Sequence, residues 1–263
     1  MPLIDSHAHL DLPEFAADRN EVIKRARDAG LEAIITIGIG LKECRQALHL
    51  AQLFPFIYVA LGIHPHNARQ LDRHALDFIE KNARHDKVVA IGEIGLDFYR
   101  NRAPREEQIK SFRSQLQLAQ ALKLPVVIHD REAHRETMQM LQEERSGEYG
   151  GVLHCFSGDT AMARTCIDLG FFISIPGTVT FKNATRLHEV VRAVPLEHLL
   201  IETDCPFLTP VPFRGKRNEP SYVRYVAAAI AALKNIPFET VASTTTANAV
   251  RLFGLPCRVS GKT

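Results

Sequence analysis

The chain has 263 residues, 46% of them hydrophobic and 24% charged, a composition typical of a globular protein with a substantial core. A formal net charge of +2 at pH 7 argues against the broad basic surface of a non-specific duplex-binding protein. The sequence shows no leader pattern, no apolar run of membrane-spanning length and no Cys-x-x-Cys pair, so we expect a cytoplasmic protein without a membrane partner.

Apolar, β-branched runs alternate with amphipathic stretches along the whole sequence. The predicted strands lie near residues 3–9, 32–38, 57–63, 88–93, 125–129, 151–155, 171–176 and 199–203. The clearest helical patterns lie near residues 21–27, 106–122, 221–234 and 238–253. Strands that are almost continuously apolar are typical of a parallel sheet covered by helices. We therefore predict an α/β protein with a (β/α)8 TIM barrel over residues 1–256 and a C-terminal tail over residues 257–263, with an open doubly wound sheet as the alternative.

Side chains of the metal-ligand type stand at the ends of several predicted strands. The candidates are His7, His9, Glu93, His129, His154 and Asp204. Side chains at positions i and i+2 of a strand point to the same face, so both imidazoles of His7-Ala8-His9 can bind one ion. A TIM barrel gathers the C-terminal ends of all its strands on one face, where its active sites lie. A single histidine at a strand end is usually structural, but the whole set predicts a site for two divalent cations.

Glu93 lies on the fourth predicted strand, in the middle of the candidate ligands, and we predict that its carboxylate bridges the two ions. His7 and His9 would complete one site, and His129 and His154 the other. Asp204 would ligate and also accept a proton from water, which gives it a catalytic role beside Glu93. Imidazole and carboxylate ligands suit Zn, Mn, Co or Ni, and Mg remains an option because no thiolate takes part. The predicted chemistry is hydrolysis by activated water, and no Gly-x-Ser-x-Gly motif indicates a serine nucleophile.

Longer motifs surround these ligands. They are Asp5-Ser6-His7-Ala8-His9, Gly62-Ile63-His64-Pro65-His66, Gly92-Glu93-Ile94-Gly95-Leu96-Asp97, Ile128-His129-Asp130-Arg131, His154-Cys155-Phe156-Ser157-Gly158, Glu202-Thr203-Asp204-Cys205-Pro206 and Arg214-Gly215-Lys216-Arg217-Asn218-Glu219-Pro220. In this order, over about residues 3–255, the sequence resembles the TatD family of metal-dependent hydrolases, which belongs to the amidohydrolase-like barrels. The resemblance implies metal roles for the same candidate ligands. It also implies a metal-dependent deoxyribonuclease that trims DNA from the 3′ end.

Several residues near the strand ends are compatible with a phosphate-containing substrate. Arg131 lies two positions after His129 and is predicted to reach a phosphate oxygen. Ser157 and Gly158 follow the sixth strand, where backbone N–H groups at a helix start suit an anion. Arg214 and Lys216 lie, with Arg217, in the loop after the eighth strand, where barrel enzymes often bind phosphate. A solvated basic loop is the alternative for that segment.

Three further residues have two interpretations each. His64 ends the third predicted strand, so it either contacts substrate or supports a ligand from behind. Asp97 either does the same or pairs with Arg131. Glu202 either orients a ligand or belongs to a structural ion pair.

The residues leave more than one function open. The favoured interpretation is a phosphodiesterase that acts on DNA ends or short oligonucleotides, because Arg131, Arg214 and Lys216 suit phosphate. The second is a dimetal hydrolase of a carboxylic ester or amide, such as an aminoacyl ester on tRNA, because one barrel supports many chemistries. The third is a metal-binding scaffold without activity, which predicts a damaged ligand set. With few aromatic residues and no tryptophan, we expect the site to hold only a few terminal nucleotides, and we expect a monomer.

Overall fold

The computed structural model describes residues 2–256, and the predicted tail over residues 257–263 lies outside the described residues. The strands are β1 (Leu3–Ala8), β2 (Leu31–Ile37), β3 (Ile57–Leu61), β4 (Val88–Asp97), β5 (Val126–Arg131), β6 (Gly151–Leu153), β7 (Phe171–Ile175) and β8 (Leu199–Ile201). The α-helices are α1 (Arg19–Asp28), α2 (Leu41–Leu53), α3 (Arg73–Asn82), α4 (Arg105–Leu122), α5 (His134–Glu143), α6 (Thr160–Asp168), α7 (Thr185–Ala193), α8 (Val223–Lys234) and α9 (Phe238–Phe253). Short 3₁₀ helices span Pro13–Phe15, Pro65–Gln70, Gly177–Thr180, Leu196–His198 and Pro220–Tyr222.

The strands pair in chain order, each parallel to the next, from β1 to β8. The sheet closes where the segments that follow β1 and β8 meet, which we call the closing seam. There Ala8 pairs with Cys205, the Asp204 N–H donates to the His7 carbonyl at 2.9 Å, and the His9 N–H donates to the Cys205 carbonyl at 2.9 Å. The predicted (β/α)8 barrel is therefore confirmed over the open sheet.

Buried polar side chains strengthen the closing seam. The carboxylate of Asp5 accepts the backbone N–H of Thr203 at 2.9 Å and the hydroxyl of Thr203 at 2.6 Å. One residue along β1, the hydroxyl of Ser6 donates to the Ile201 carbonyl at 2.9 Å. These side chains are almost fully buried, so each hydrogen bond also satisfies a polar group that water cannot reach. The seam thus depends on side chains as well as on backbone pairing.

The barrel interior is apolar at one end and polar at the other. Ile35, Val127 and Leu200 belong to an interior cluster that the C-terminal part of α9 closes with Leu252 and Phe253. A second, larger apolar cluster lies between the strands and the surrounding helices. Because side chains alternate along a strand, the interior residues beyond the apolar layer lie at the C-terminal ends of the strands. The polar end of the barrel is therefore the predicted position of the site.

Strands β3, β6 and β8 each end two residues earlier than the sequence pattern predicts, whereas β4 and β5 continue past their predicted ends at residues 93 and 129. Cys155, after β6, and Asp204, after β8, both take left-handed backbone conformations, with φ of 45° and 54°. Such a conformation breaks the extended chain, so the side chains that follow leave the strand direction. No helix within residues 2–256 has both the length and the apolar composition that a bilayer crossing requires.

Candidate metal centre

Glu93 lies at the centre of the polar end, and its Oε2 faces one set of side chains, which we call group A. Group A consists of His7, His9 and Asp204. Oε2 of Glu93 lies 3.4 Å from Nε2 of His7 and 3.8 Å from Nε2 of His9. Oδ1 of Asp204 lies 3.3 Å from Nε2 of His9 and 3.7 Å from Nε2 of His7. His7, His9 and Asp204 thus lie together on one side of Glu93.

The other oxygen of Glu93 faces a second set, group B, which consists of His64, His129 and His154. Oε1 of Glu93 lies 2.7 Å from Nδ1 of His129, 2.8 Å from Nε2 of His154 and 3.3 Å from Nε2 of His64. One carboxylate therefore stands between two groups of nitrogen and oxygen donors. This is the geometry expected of a ligand that bridges two cations.

Glycines allow β4, which carries Glu93, to approach β5, which carries His129, closely. A Cβ on Gly92, beside Glu93, would lie 2.6 Å from Cβ of Val127 in β5. Gly95 has a φ of +143°, and a Cβ there would overlap the carbonyl oxygen of His129. Only glycine fits at such positions, because it has no side chain and tolerates positive φ. These residues bring Glu93 of β4 next to the imidazole of His129 on β5.

The donor set itself fits divalent cations. Nε2 of His7 and Nε2 of His9 lie 3.3 Å apart, as do Nδ1 of His129 and Nε2 of His154. Buried imidazole nitrogens that face one another and a carboxylate at these distances are arranged as ligands around a shared cation. Two of the donor sets whose ligand atoms lie within 4.8 Å of one another are His7, His9, Asp204 and His64, Glu93, His129. The residues present therefore fit a nitrogen- and oxygen-coordinated divalent metal.

The carboxylates and imidazoles of this centre shift one another's pKa values. Burial opposes a charge on His9, but Asp204 and Glu93 outweigh it and raise the pKa of His9 to about 9. Likewise, burial opposes a charge on His154, and Glu93 and Glu202 nevertheless raise the pKa of His154 well above its usual range. Burial raises the pKa of Glu93, but the surrounding imidazoles outweigh it and hold that pKa well below its usual range. In the absence of an ion, protons on the imidazoles thus neutralise the carboxylates.

His64 differs from the other imidazoles of group B. Its Nδ1 accepts the backbone N–H of His66 at 3.0 Å, so the proton of the neutral ring must be on Nε2. That Nε2–H points to Oε1 of Glu93. Burial lowers the pKa of His64 to about 4, which keeps the ring neutral. His64 therefore presents a hydrogen-bond donor to Glu93 rather than a lone pair to an ion.

Asp97 lies behind group B and contacts His129, the arrangement expected of a carboxylate that supports a ligand. Its Oδ2 lies 3.2 Å from Nε2 of His129 and 2.9 Å from Nε2 of His66, and its Oδ1 accepts the N–H of Arg100 at 2.6 Å. Burial raises the pKa of Asp97, but the hydrogen bond from His129 outweighs it and holds the pKa below its usual range. A carboxylate behind a ligating imidazole fixes the ring orientation. The sequence did not single out His66, although its i+2 spacing from His64 was the available signal.

Glu202 lies behind His154, much as Asp97 lies behind His129. It is fully buried, its Oε1 accepts the N–H of Cys155 at 2.5 Å, and it lies 3.6 Å from Nδ1 of His154. The rings of His7 and His154 stack with their centroids 3.9 Å apart, and Nδ1 of each is buried without a partner. Glu202 thus faces the Nδ1 edge of His154, while the Nε2 edge faces Glu93.

The predicted phosphate-binding cations lie at the C-terminal end of β5 and on the loop that follows β8. Arg131 is exposed, and its guanidinium lies 4.1 Å from the centroid of the Tyr99 ring. Arg214 lies 4.4 Å from the Phe181 ring, and Lys216 lies 5.8 Å from the Phe213 ring. These cations are held by aromatic rings and are not engaged in the ion pairs among residues 2–256.

Arg217 is different from its basic neighbours. Its guanidinium donates to both oxygens of Asp18, at 2.8 and 2.7 Å, and to the Glu14 carbonyl at 2.7 Å. Asp18 lies before α1, so this pairing fixes the loop after β8 to the start of that helix. Arg217 therefore belongs to a structural ion pair, which neither the phosphate-binding interpretation nor the solvated-loop alternative predicted.

Ser157 and Gly158 lie beside a cavity rather than against groups A and B. The cavity has a volume of about 300 Å³ and lies between the loops that follow β6 and β7. The Ser157 hydroxyl donates to the Asp130 carbonyl at 3.4 Å. At the start of α6 the carboxylate of Asp159 accepts the Met162 N–H at 2.8 Å. Because an acidic side chain already caps this helix, its N-terminus is less available to an anion than the sequence suggests.

The site and fold match known proteins over almost the whole chain. A family model described as TatD related DNase matches residues 4–254. An uncharacterized metal-dependent hydrolase, YabD of Bacillus subtilis, is 47% identical over 251 residues, which cover 95% of this chain and 98% of that protein. The 3′-5′ ssDNA/RNA exonuclease TatD of Salmonella typhimurium is 37% identical over 257 residues, which cover 95% of this chain and 98% of that protein.

A solved structure agrees as closely. The crystal structure of YjjV, a TatD homologue from Escherichia coli K12, superimposes with a TM-score of 0.91 at 33% sequence identity, over 97% of this chain and 98% of that one. Taken with the eight-stranded barrel and the imidazole–carboxylate centre at its polar end, these matches identify the chain as a member of the TatD family of metal-dependent hydrolases.

Proposed function

We propose that this protein is a phosphodiesterase that removes nucleotides from the 3′ ends of DNA or short oligonucleotides with two divalent metal ions. The observation that carries the proposal is Glu93, whose two oxygens face two separate donor groups. His7, His9 and Asp204 would hold one ion, His129 and His154 would hold the other, and Glu93 would bridge them. Zn, Mg, Mn, Co and Ni are the candidate metals.

Divalent ions bound there would acidify water and neutralise the charge on a phosphodiester. The side chains of the protein would do the rest. Asp204 is the proposed proton acceptor, because its side chain is 13% exposed whereas that of Glu93 is 3% exposed. Of the two carboxylates, Asp204 is therefore the one more accessible to solvent water. His64 would hold the bridge in place by donating to Oε1 of Glu93.

Charge at the mouth supports a phosphate substrate. Three exposed cations lie at the C-terminal end of β5 and on the loop that follows β8: Arg131, Arg214 and Lys216. A guanidinium binds two phosphate oxygens at once, which a carboxylic ester does not offer. The proposed contacts of Ser157 and Gly158 would lie in the adjacent cavity of about 300 Å³. The name of the Salmonella relative, a ssDNA/RNA exonuclease, supports the same class of substrate.

The test is turnover of 3′-end-labelled single-stranded DNA by metal-stripped protein, with each candidate metal added back singly. An aminoacyl-tRNA and a simple aryl ester are assayed in parallel, with Glu93→Gln as the inactive control. Metal-dependent release of 3′ mononucleotides that Glu93→Gln abolishes is the expected result. Turnover of an ester substrate, with no cleavage of DNA under any metal, would instead establish a dimetal esterase and overturn the proposal.

A further inference from the structure

Two exposed aromatic rings lie on opposite sides of the barrel mouth. Tyr99 is 60% exposed on the segment after β4, and Phe207 is 48% exposed on the segment after β8. Within residues 2–256 the other large apolar side chains with such exposure are Leu53 and Val211. Because β4 and β8 are four strands apart in an eight-stranded barrel, their C-terminal ends face one another across the mouth. Groups A and B lie between the two rings.

Phe207 is presented to the site by a fixed backbone. Its ring centroid lies 6.2 Å from that of His9, a member of group A, in an edge-to-face arrangement. The buried side chain of Asn218 donates to the carbonyl of Phe207 at 2.6 Å and to the carbonyl of Thr203 at 2.9 Å. The Phe207 N–H donates to the Asp204 carbonyl at 3.0 Å. The segment is therefore held at both ends while the ring itself remains open to solvent.

Tyr99 lies on the side of group B. It follows Asp97, the carboxylate that contacts His129, and the N–H of Phe98 donates to the carbonyl of Arg131 at 2.9 Å. The guanidinium of Arg131 lies 4.1 Å from the Tyr99 ring centroid. The result is a flat aromatic surface next to a cation, which is the combination that single-stranded nucleic acid binds by stacking and charge.

We infer that Phe207 and Tyr99 stack against the two nucleobases that flank the scissile phosphodiester; this rests on the proposed phosphodiesterase function. A phosphate held between groups A and B places one nucleoside toward each ring. Two neighbouring bases that stack on opposite walls of the mouth are no longer stacked on each other. The site therefore selects single-stranded ends, in which bases separate at low cost, and it reads any base because every base has a flat face.

The test combines removal of each aromatic ring from the protein with removal of each base from the substrate, as in a double-mutant cycle. Phe207→Ala and Tyr99→Ala are compared with Phe207→Tyr and Tyr99→Phe, which keep the rings, on single-stranded oligonucleotides. Each variant is assayed on an ordinary oligonucleotide and on oligonucleotides with an abasic residue at the terminal or the penultimate position. Leu53→Ala is the matched control, because Leu53 is 59% exposed but ends α2, at the opposite end of the barrel.

Each alanine variant is expected to lower kcat/KM about tenfold on the ordinary oligonucleotide, and the ring-keeping variants and Leu53→Ala to match wild type. For each ring, one of the two abasic substrates should abolish that loss, because the ring then has no base to contact. An equal loss on all substrates, or no loss on any, overturns the stacking role while leaving the nuclease intact. Wild-type protein that cleaves no oligonucleotide under any metal overturns the proposed function itself, and the stacking role with it.

Discussion

At Glu93, the two oxygens of one carboxylate face different sets of imidazoles, and a single substitution tests whether both sets bind metal. Glu93→Gln keeps the shape of the side chain but replaces one oxygen with an NH₂ group, which donates hydrogen bonds and does not bind cations. We expect both metal affinities to fall by more than the roughly 10–100-fold that loss of an outer partner costs. Isothermal titration of metal-stripped protein measures this. Loss of one ion alone would contradict a bridging role for Glu93.

Asp97 offers the matched comparison, because it contacts His129 of group B and no member of group A in the described structure. Asp97→Asn should lower the affinity of one ion by about 10–100-fold and leave the other unchanged. Titration of the Asp97→Asn variant with metal should therefore show two binding phases that are further apart in affinity than the two phases of wild type. Equal weakening of both ions would show that Asp97 acts through the barrel as a whole rather than through His129.

His64 gives the metal-free protein a pH dependence with a definite sign. Its pKa falls from an ordinary 6.5 to about 4 chiefly because the ring is buried, and the nearby His129 and His66 lower it as well. Below pH 6.5 the unfolded chain therefore gains a proton that the folded chain refuses, so stability falls between about pH 6.5 and 4. The total is about 3 kcal/mol. The measurement is the free energy of unfolding in urea, determined as a function of pH for metal-free wild type and for His64→Gln. Parallel pH dependences of the two proteins would contradict the role of His64.

Among single residues, the ligand candidates were predictable because each stands at or near the end of an apolar run and carries a side chain that binds metals. Glu93 lies within β4 rather than at its end, because the strand continues to Asp97. His66 was not, because Pro65 starts a 3₁₀ helix there and the strand alternation no longer applies. Tyr99 and Phe207 follow the strands in irregular segments, where no periodicity indicates which side chains remain exposed. Their importance becomes apparent only from exposure in the folded chain.

At the scale of elements, the loop between β8 and α8 depends on Asn218. This fully buried amide donates to the carbonyls of Thr203 and Phe207, which no helix or strand of the barrel satisfies. Asn218→Ala would remove both hydrogen bonds, leave the buried Thr203 carbonyl unpaired and lower the free energy of unfolding by about 1–3 kcal/mol. Urea unfolding measures the loss, with the exposed Asn183→Ala as control. A loss as small as that of the control would show that the loop rearranges without cost.

The elements themselves were largely predictable, since their apolar periodicity persists wherever the strands and helices are buried. The exceptions are physical. The predicted strands run to residues 155 and 203, but Cys155 and Asp204 take left-handed backbone conformations, which periodicity does not reveal. Strands β6 and β8 each end two residues before those predicted ends, and loops follow.

For the whole molecule, metal binding and folding are coupled, because the donor groups come together only when all the strands are in place. Removal of metal should therefore lower the unfolding temperature. At a metal concentration of 100 times the dissociation constant, one bound ion stabilises the fold by about 2.7 kcal/mol. Binding should also release protons from His9 and His154, whose pKa values are raised in the metal-free centre. Calorimetry in buffers of different ionisation enthalpy measures that release, and its absence would contradict the assigned ligands.

The coupling between metal binding and folding should be strongest at the closing seam. The backbone hydrogen bonds of the seam join His7 of β1 to Asp204, and His9 just after β1 to Cys205, so the chain segments that close the barrel also carry group A. Any local opening of the cylinder at this seam must pull Asp204 away from both imidazoles. A cation bound between Asp204 and the two imidazoles would oppose this local opening of the barrel. The amides of His9 and Asp204 should then exchange hydrogen for deuterium more slowly when metal is present, while amides between β4 and β5 in the opposite wall change less.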